Sequence, residues 1–170
     1  MTPLRGAVAL AGAGLVAASF GRFEGWGDAL VAAYIVAVLA AVSVFDIERG
    51  IIPNRIVVPA AAIVLVSRIA LTPGRTIEWV VSAVGAAGFL LLCHLVYPAG
   101  MGMGDVKLAL LLGAALGKLV VAALLLGTVG AGLVGVAVIL RRGAAARKQA
   151  IPFGPYLAVG TVVALFVGVP

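Results

Sequence analysis

Residues 119–140 form a run of 22 positions with no charged side chain. A helix of that length and composition fits a bilayer, which needs about 20 mostly apolar residues per span. The run is not alone. Residues 149–170 make another apolar stretch of 22, residues 79–97 one of 19, and residues 29–45 one of 17. Residues 6–21 number 16 and reach span length with their flanks. Residues 56–71 contain Arg68 near one end, where a long side chain is expected to snorkel to the headgroups. Residues 106–117 are the shortest stretch, bracketed by Lys107 and Lys118. In lipid every backbone polar group must find its partner internally, so runs of this kind fold as helices.

The expected fold is therefore an all-α polytopic membrane protein with about seven transmembrane helices, in one domain over residues 1–170. Arg5, the apolar run after it and Ala17-Ala18-Ser19 also fit a signal peptide. A retained first span is the preferred reading, and six spans remain if it is cleaved. Composition closes the other routes. At 64% hydrophobic and 11% charged residues, the chain lacks the polar surface of a soluble globule and the polarity of a disordered one. A single cysteine, Cys93, leaves no disulfide framework and no cysteine-type zinc site.

Lys and Arg set the orientation. Seven alternating spans place Arg5, Arg49, Arg55, Lys107, Arg141, Arg142, Arg147 and Lys148 on one side, and Arg22, Arg68, Arg75 and Lys118 on the other. Eight against four makes the first side cytoplasmic. The net charge of +6 is thus read as affinity for the membrane surface and its anionic lipid, not for nucleic acid. Trp26 and Trp79 fall at outer span ends and read as interfacial belt residues.

The chain has six carboxylates. Glu24 lies near Arg22 and Glu78 near Arg75, as solvated surface pairs; Asp28 falls at an outer span end. The other three, Asp46, Glu48 and Asp105, all map to the cytoplasmic side. Asp46 closes the apolar run Val42-Ser43-Val44-Phe45, and Asp105 follows Gly102-Met103-Gly104 and opens an apolar helix, 59 positions later. Taken singly, Asp105 reads as a helix N-cap and Asp46 as an interfacial acid beside Arg49. As a pair at one membrane boundary they are candidates for function, because acids there are costly unless paired or solvated.

Two carboxylates a few ångströms apart do not both ionise easily, so one holds a proton and the other a charge. Such a pair can activate water with one oxygen and protonate a peptide carbonyl with the other, without a covalent intermediate, cofactor or metal. Gly102 and Gly104 remove side chains next to Asp105, for close approach of a substrate backbone or for a positive φ.

The residues Gly102-Met103-Gly104-Asp105 match the GxGD signature of intramembrane aspartyl proteases, and Gly104-Asp105-Val106-Lys107-Leu108 resembles the form it takes in type IV prepilin peptidases. Asp46 through Ile52-Pro53-Asn54 is similar to that family's first aspartate segment. Ile151-Pro152-Phe153-Gly154-Pro155-Tyr156-Leu157-Ala158 resembles the segment that opens its last helix. The resemblance implies a peptidase that removes the basic leader from prepilin-like or preflagellin-like proteins, which carry an apolar helix after the leader. It implies cleavage after a glycine at the cytoplasmic face of the cell membrane, with Asp46 and Asp105 as the catalytic pair. Longer members carry a cysteine-bearing N-terminal domain that methylates the product. This chain has no CxxC, so it looks like the short protease-only form, more bacterial than archaeal.

Around the pair, Lys107 is expected either to favour ionised Asp105 or to hold a lipid headgroup. Pro53 and Asn54 shape a turn or touch substrate, and Glu48 is a solvated loop residue or binds the basic leader. Pro152 and Pro155 set a helix start and kink. His94 is read as a satisfied buried histidine and Cys93 as inert packing. The rival functions are a small multi-span transporter and a non-catalytic pilus-assembly membrane protein; acids at one face rather than the midplane count against the first.

Overall fold

A computed structural model of the protein describes residues 3–98, 101–142 and 152–168. The described residues form seven α-helices: α1 (Pro3–Arg22), α2 (Trp26–Arg49), α3 (Asn54–Leu71), α4 (Thr76–Val96), α5 (Met103–Leu116), α6 (Val120–Arg142) and α7 (Gly154–Val167). Short 3₁₀ turns at Pro73–Arg75 and Gly117–Leu119 lead into α4 and α6. Among the described residues, each apolar run of the sequence contributes a helix of its own. Helices α1 to α4 and α6 have 18 to 24 residues, long enough to cross a membrane. With 14 residues each, α5 and α7 are about 21 Å long, short of a hydrocarbon core of about 30 Å. The basic tract from residue 143 to Lys148, and Ile151, lie outside the described residues.

The short α5 does not have to reach both headgroup layers, because protein surrounds it. Ten of its 14 residues are buried, Leu108, Leu111 and Leu112 completely. Around it pack α3, α4 and α7, and α2 closes the core with Ile35, Leu39 and Val42. Small residues bring the backbones together. A Cβ on Gly113 of α5 would strike the Ser82 carbonyl oxygen and Ala83 Cα of α4, and one on Gly160 of α7 would strike the Ala123 carbonyl oxygen and Gly127 nitrogen of α6. Helix α1 is peripheral, with only Gly12 and Ser19 buried, and leans on α2.

The polar groups gather at the two ends of the bundle. At the end holding the α1–α2 and α3–α4 connections, two expectations change. Arg68 does not snorkel outward: it is 6% exposed, and Nη1 donates to Asp28 Oδ1 at 2.6 Å. Asp28 lies at a span end as expected, in the first turn of α2 with its side chain 41% exposed, and there it partners that buried cation. Trp79 is not a belt residue. It is 4% exposed, its Nε1 donates to Thr72 Oγ1 at 2.9 Å, and its ring takes the guanidinium groups of Arg68 and Arg75 at 5.3 and 4.7 Å. The reason is the 3₁₀ turn, which folds the start of α4 over the end of α3. Trp26 is 78% exposed, and Arg75 forks onto Glu78 as the expected pair.

At the other end, α2 stops at Gly50, which takes φ of +61° and donates its N–H to the Asp46 carbonyl. The chain then runs extended to Pro53 and re-enters helix at Asn54, the turn expected of that pair. His94 Nδ1 meets the Met101 carbonyl at 2.7 Å, tying the end of α4 to the residue two before α5. Helix α7 begins at Gly154, with Pro155 in its first turn, where a missing N–H costs nothing.

Candidate active site

Asp46 lies in the last turn of α2 and is 7% exposed. Its Oδ2 accepts the backbone N–H of Gly154 at 2.8 Å. That N–H belongs to the first turn of α7 and has no partner within its own helix, and the positive end of a helix favours a carboxylate. Asp105 is also 7% exposed. It is the third residue of α5 rather than its N-cap; Gly102 takes the cap position, and Asp105 Oδ2 accepts the Gly102 N–H at 3.1 Å. The acid thus reaches back over the first turn, as the second half of a capping box does.

Both aspartates, with Gly50 and Gly102, line two cavities at once. The larger, about 1580 Å³, is a groove between α4 and α6. The smaller, about 270 Å³, lies toward the end of the bundle and adds Asn54, Gly104 and Lys107. The carboxylates therefore stand where an apolar groove and a small polar cavity meet.

The other expected residues divide. Lys107 Nζ donates to Asn54 Oδ1 at 2.9 Å, so its observed partner is an amide rather than Asp105. Glu48, two positions beyond Asp46, lines neither cavity; Arg5 of α1 forks onto it at 2.6 and 2.7 Å. It sits in the last turn of α2, not in a loop. Pro53 lines neither cavity and serves the start of α3. Gly102 has φ of −78°, and neither it nor Gly104 takes a positive φ. A Cβ on Gly104 would come 2.7 Å from Ile52 Cβ, so this glycine is required by packing. Cys93 is half-buried in the wall of the groove and not in the core.

Sequence reasoning passed over Gly154, assigning its segment only a helix start. Its signal was a glycine standing immediately before a proline at the mouth of an apolar run, a place where a first-turn N–H is left to bond something else.

Fold and site together define a multi-pass membrane protein that holds two buried carboxylates at one end of its helix bundle. The chain belongs to the type IV leader peptidase family, which residues 33–140 match. It is 33% identical over 141 residues to the prepilin leader peptidase/N-methyltransferase of Bacillus subtilis (strain 168), covering 81% of this chain and 55% of that protein. It is 32% identical over 171 residues to the protein of that name from Burkholderia pseudomallei (strain 1026b), covering 96% of this chain and 54% of the relative. To the one from Aeromonas hydrophila it is 34% identical over 163 residues, covering 90% and 54%. The chain spans about half the length of these curated relatives. No solved structure gives a significant match.

Proposed function

We propose that the protein is an aspartic endopeptidase of the cell membrane that removes the basic leader from prepilin-like proteins at the cytoplasmic face. The observation that carries this reading is the placement of Asp46 and Asp105, which come from different helices and border the same two cavities. In both residues the backbone hydrogen bond falls on Oδ2. Oδ1 of each is then the oxygen for water or substrate.

With one proton shared by the pair, the ionised acid takes a proton from water as its oxygen attacks the peptide carbon. The protonated acid donates to the carbonyl oxygen. Collapse of the tetrahedral species returns a proton to the leaving amine. Each acid acts once as donor and once as acceptor, so neither can be replaced by an amide. Family membership and the names of the relatives support leader removal as the reaction. The charge asymmetry of the connections supports a cytoplasmic site.

The test is leader removal from a co-expressed prepilin-like protein by wild type, Asp46→Asn and Asp105→Asn, with membrane insertion checked for each. Both variants are expected to insert and to lose cleavage by at least about a hundredfold. Cleavage by either variant at the wild-type rate rules out the pair.

A further inference from the structure

The groove reaches far beyond the carboxylates. It is walled by α4 and α6 and runs from Asp46 and Asp105 to Lys118 at the opposite end of the bundle. On α4 its lining extends from Val81 to Cys93, 13 residues, and it continues past the helix end to Tyr97 and Pro98. Those 13 residues make about 20 Å of helix, some two-thirds of a hydrocarbon layer of about 30 Å. Phe89, Val121 and Leu125 on its walls are 58%, 61% and 61% exposed. Gly85 and Ala131 lie among them and allow another backbone to come close.

Charge distinguishes this groove from an ordinary lipid-facing surface. Among the described residues, its only charged lining residues are the two aspartates at one end and Lys118 at the other. An occupant must be uncharged along its length, positive at the aspartate end and negative or neutral at the lysine end. A helix that starts at the aspartates meets all three conditions, because its N-terminus carries the positive end of the helix dipole and its C-terminus the negative end.

We propose that this groove receives the apolar helix that follows the scissile bond of the substrate, antiparallel to both of its walls, with its N-terminus at Asp46 and Asp105. The proposal rests on the peptidase reading and adds to it where the uncleaved part of the substrate is held. The leader then lies on the side of the small polar cavity, and the bond to be cut crosses the junction where the acids stand.

Cys93 supplies the probe. It is the only cysteine of the chain and lines the groove near its aspartate end, next to His94. Single cysteines are walked along the apolar helix of a prepilin-like substrate, and disulfide formation with Cys93 is followed under mild oxidation, with Cys93→Ser as the blank. Bonds are expected from one face of the substrate helix only, close behind the scissile bond.

Gly85→Leu and Gly88→Leu give a second measurement on the same helix. A Cβ at either position meets nothing within 4 Å, so both variants should fold, but only Gly85 lines the groove. Gly85→Leu is expected to lower cleavage of the membrane-anchored substrate about tenfold more than cleavage of a leader peptide lacking the apolar helix, whereas Gly88→Leu lowers neither. If wild type cleaves the substrate but no position bonds Cys93, or Gly85→Leu affects both substrates equally, the groove proposal falls and the peptidase reading stands. A Cys93–Cys93 bond between two copies, in place of substrate bonds, overturns it in favour of a homodimer surface. A wild-type protein that removes no leader takes both readings down.

Discussion

The backbone N–H of Gly154 holds Asp46 Oδ2 at 2.8 Å, joining the first turn of α7 to the last turn of α2 across 108 positions of chain. The approach leaves no room for a side chain: a Cβ on Gly154 would stand 2.8 Å from that oxygen and 3.3 Å from Asp46 Cγ. Gly154→Ala must therefore move the carboxylate by several tenths of an ångström while adding only a methyl group. Displacing a reacting group on this scale costs about ten- to a hundredfold in rate. The expected result is leader cleavage reduced by that factor, mostly in kcat. Thermal unfolding in detergent should stay within a few degrees of wild type. An unchanged kcat would show that this contact does not position the acid.

Asp105 has a structural task as well as a chemical one, and two substitutions separate them. Asn keeps an oxygen that can accept the Gly102 N–H, whereas Ala leaves that donor without its partner at 3.1 Å. Losing a first-turn contact of this kind costs about 0.5–2 kcal/mol. Both Asp105→Asn and Asp105→Ala should be inactive. Only Asp105→Ala should also unfold at lower temperature, measured side by side in one detergent. Equal stability of the two would remove the capping role.

Helix existence and the shared end of the two acids were legible in the sequence because both depend on local runs. Charge-free stretches give the helices, and counting spans between Asp46 and Asp105 gives their side. What stayed hidden depends on pairs far apart in the chain. Nothing near Arg68 marks Asp28 as its partner 40 positions earlier, so a snorkelling arginine was the reasonable local reading. Trp79 likewise reads as an interfacial residue until the Pro73–Arg75 turn is seen to bring its ring against two guanidinium groups. Gly104 next to Asp105 suggested room for substrate, but Ile52 occupies the space beside it. The groove itself is absence of packing between α4 and α6, and a sequence records only what each helix is made of.

Arg68 and Asp28 form a pair whose members are unequal. The Arg68 side chain is 8% exposed and that of Asp28 41%. Arg68 Nε is buried without a hydrogen-bond partner among the described residues, so the guanidinium already depends heavily on its one carboxylate. Asp28→Asn leaves a buried cation with a neutral partner and is expected to cost about 1–3 kcal/mol. The double variant Asp28→Asn with Arg68→Met removes the buried charge along with its counter-ion and should recover most of that loss. Unfolding midpoints of the two single variants and the double one form the cycle that measures the coupling. A double variant that is the least stable of the three would mean that the ion pair contributes more than its burial costs.

Gly113 and Gly88 offer the same chemical change in opposite surroundings. A methyl group on Gly88 meets nothing within 4 Å, so Gly88→Ala gains helix propensity without a clash. That gain is about 0.5–1 kcal/mol. On Gly113 the same methyl would run into the Ser82 carbonyl oxygen and Ala83 Cα, which are backbone atoms and cannot turn aside. Separating α4 from α5 to make room costs about 1–3 kcal/mol, more than the propensity returns. It also moves Asp105, which rides on α5. Gly88→Ala should therefore match or exceed wild type in both unfolding temperature and cleavage. Gly113→Ala should fall below it in both, read from the same detergent melts and leader-cleavage gels. If Gly113→Ala is as stable and as active as wild type, the close contact of α4 with α5 is not what holds the second carboxylate in place.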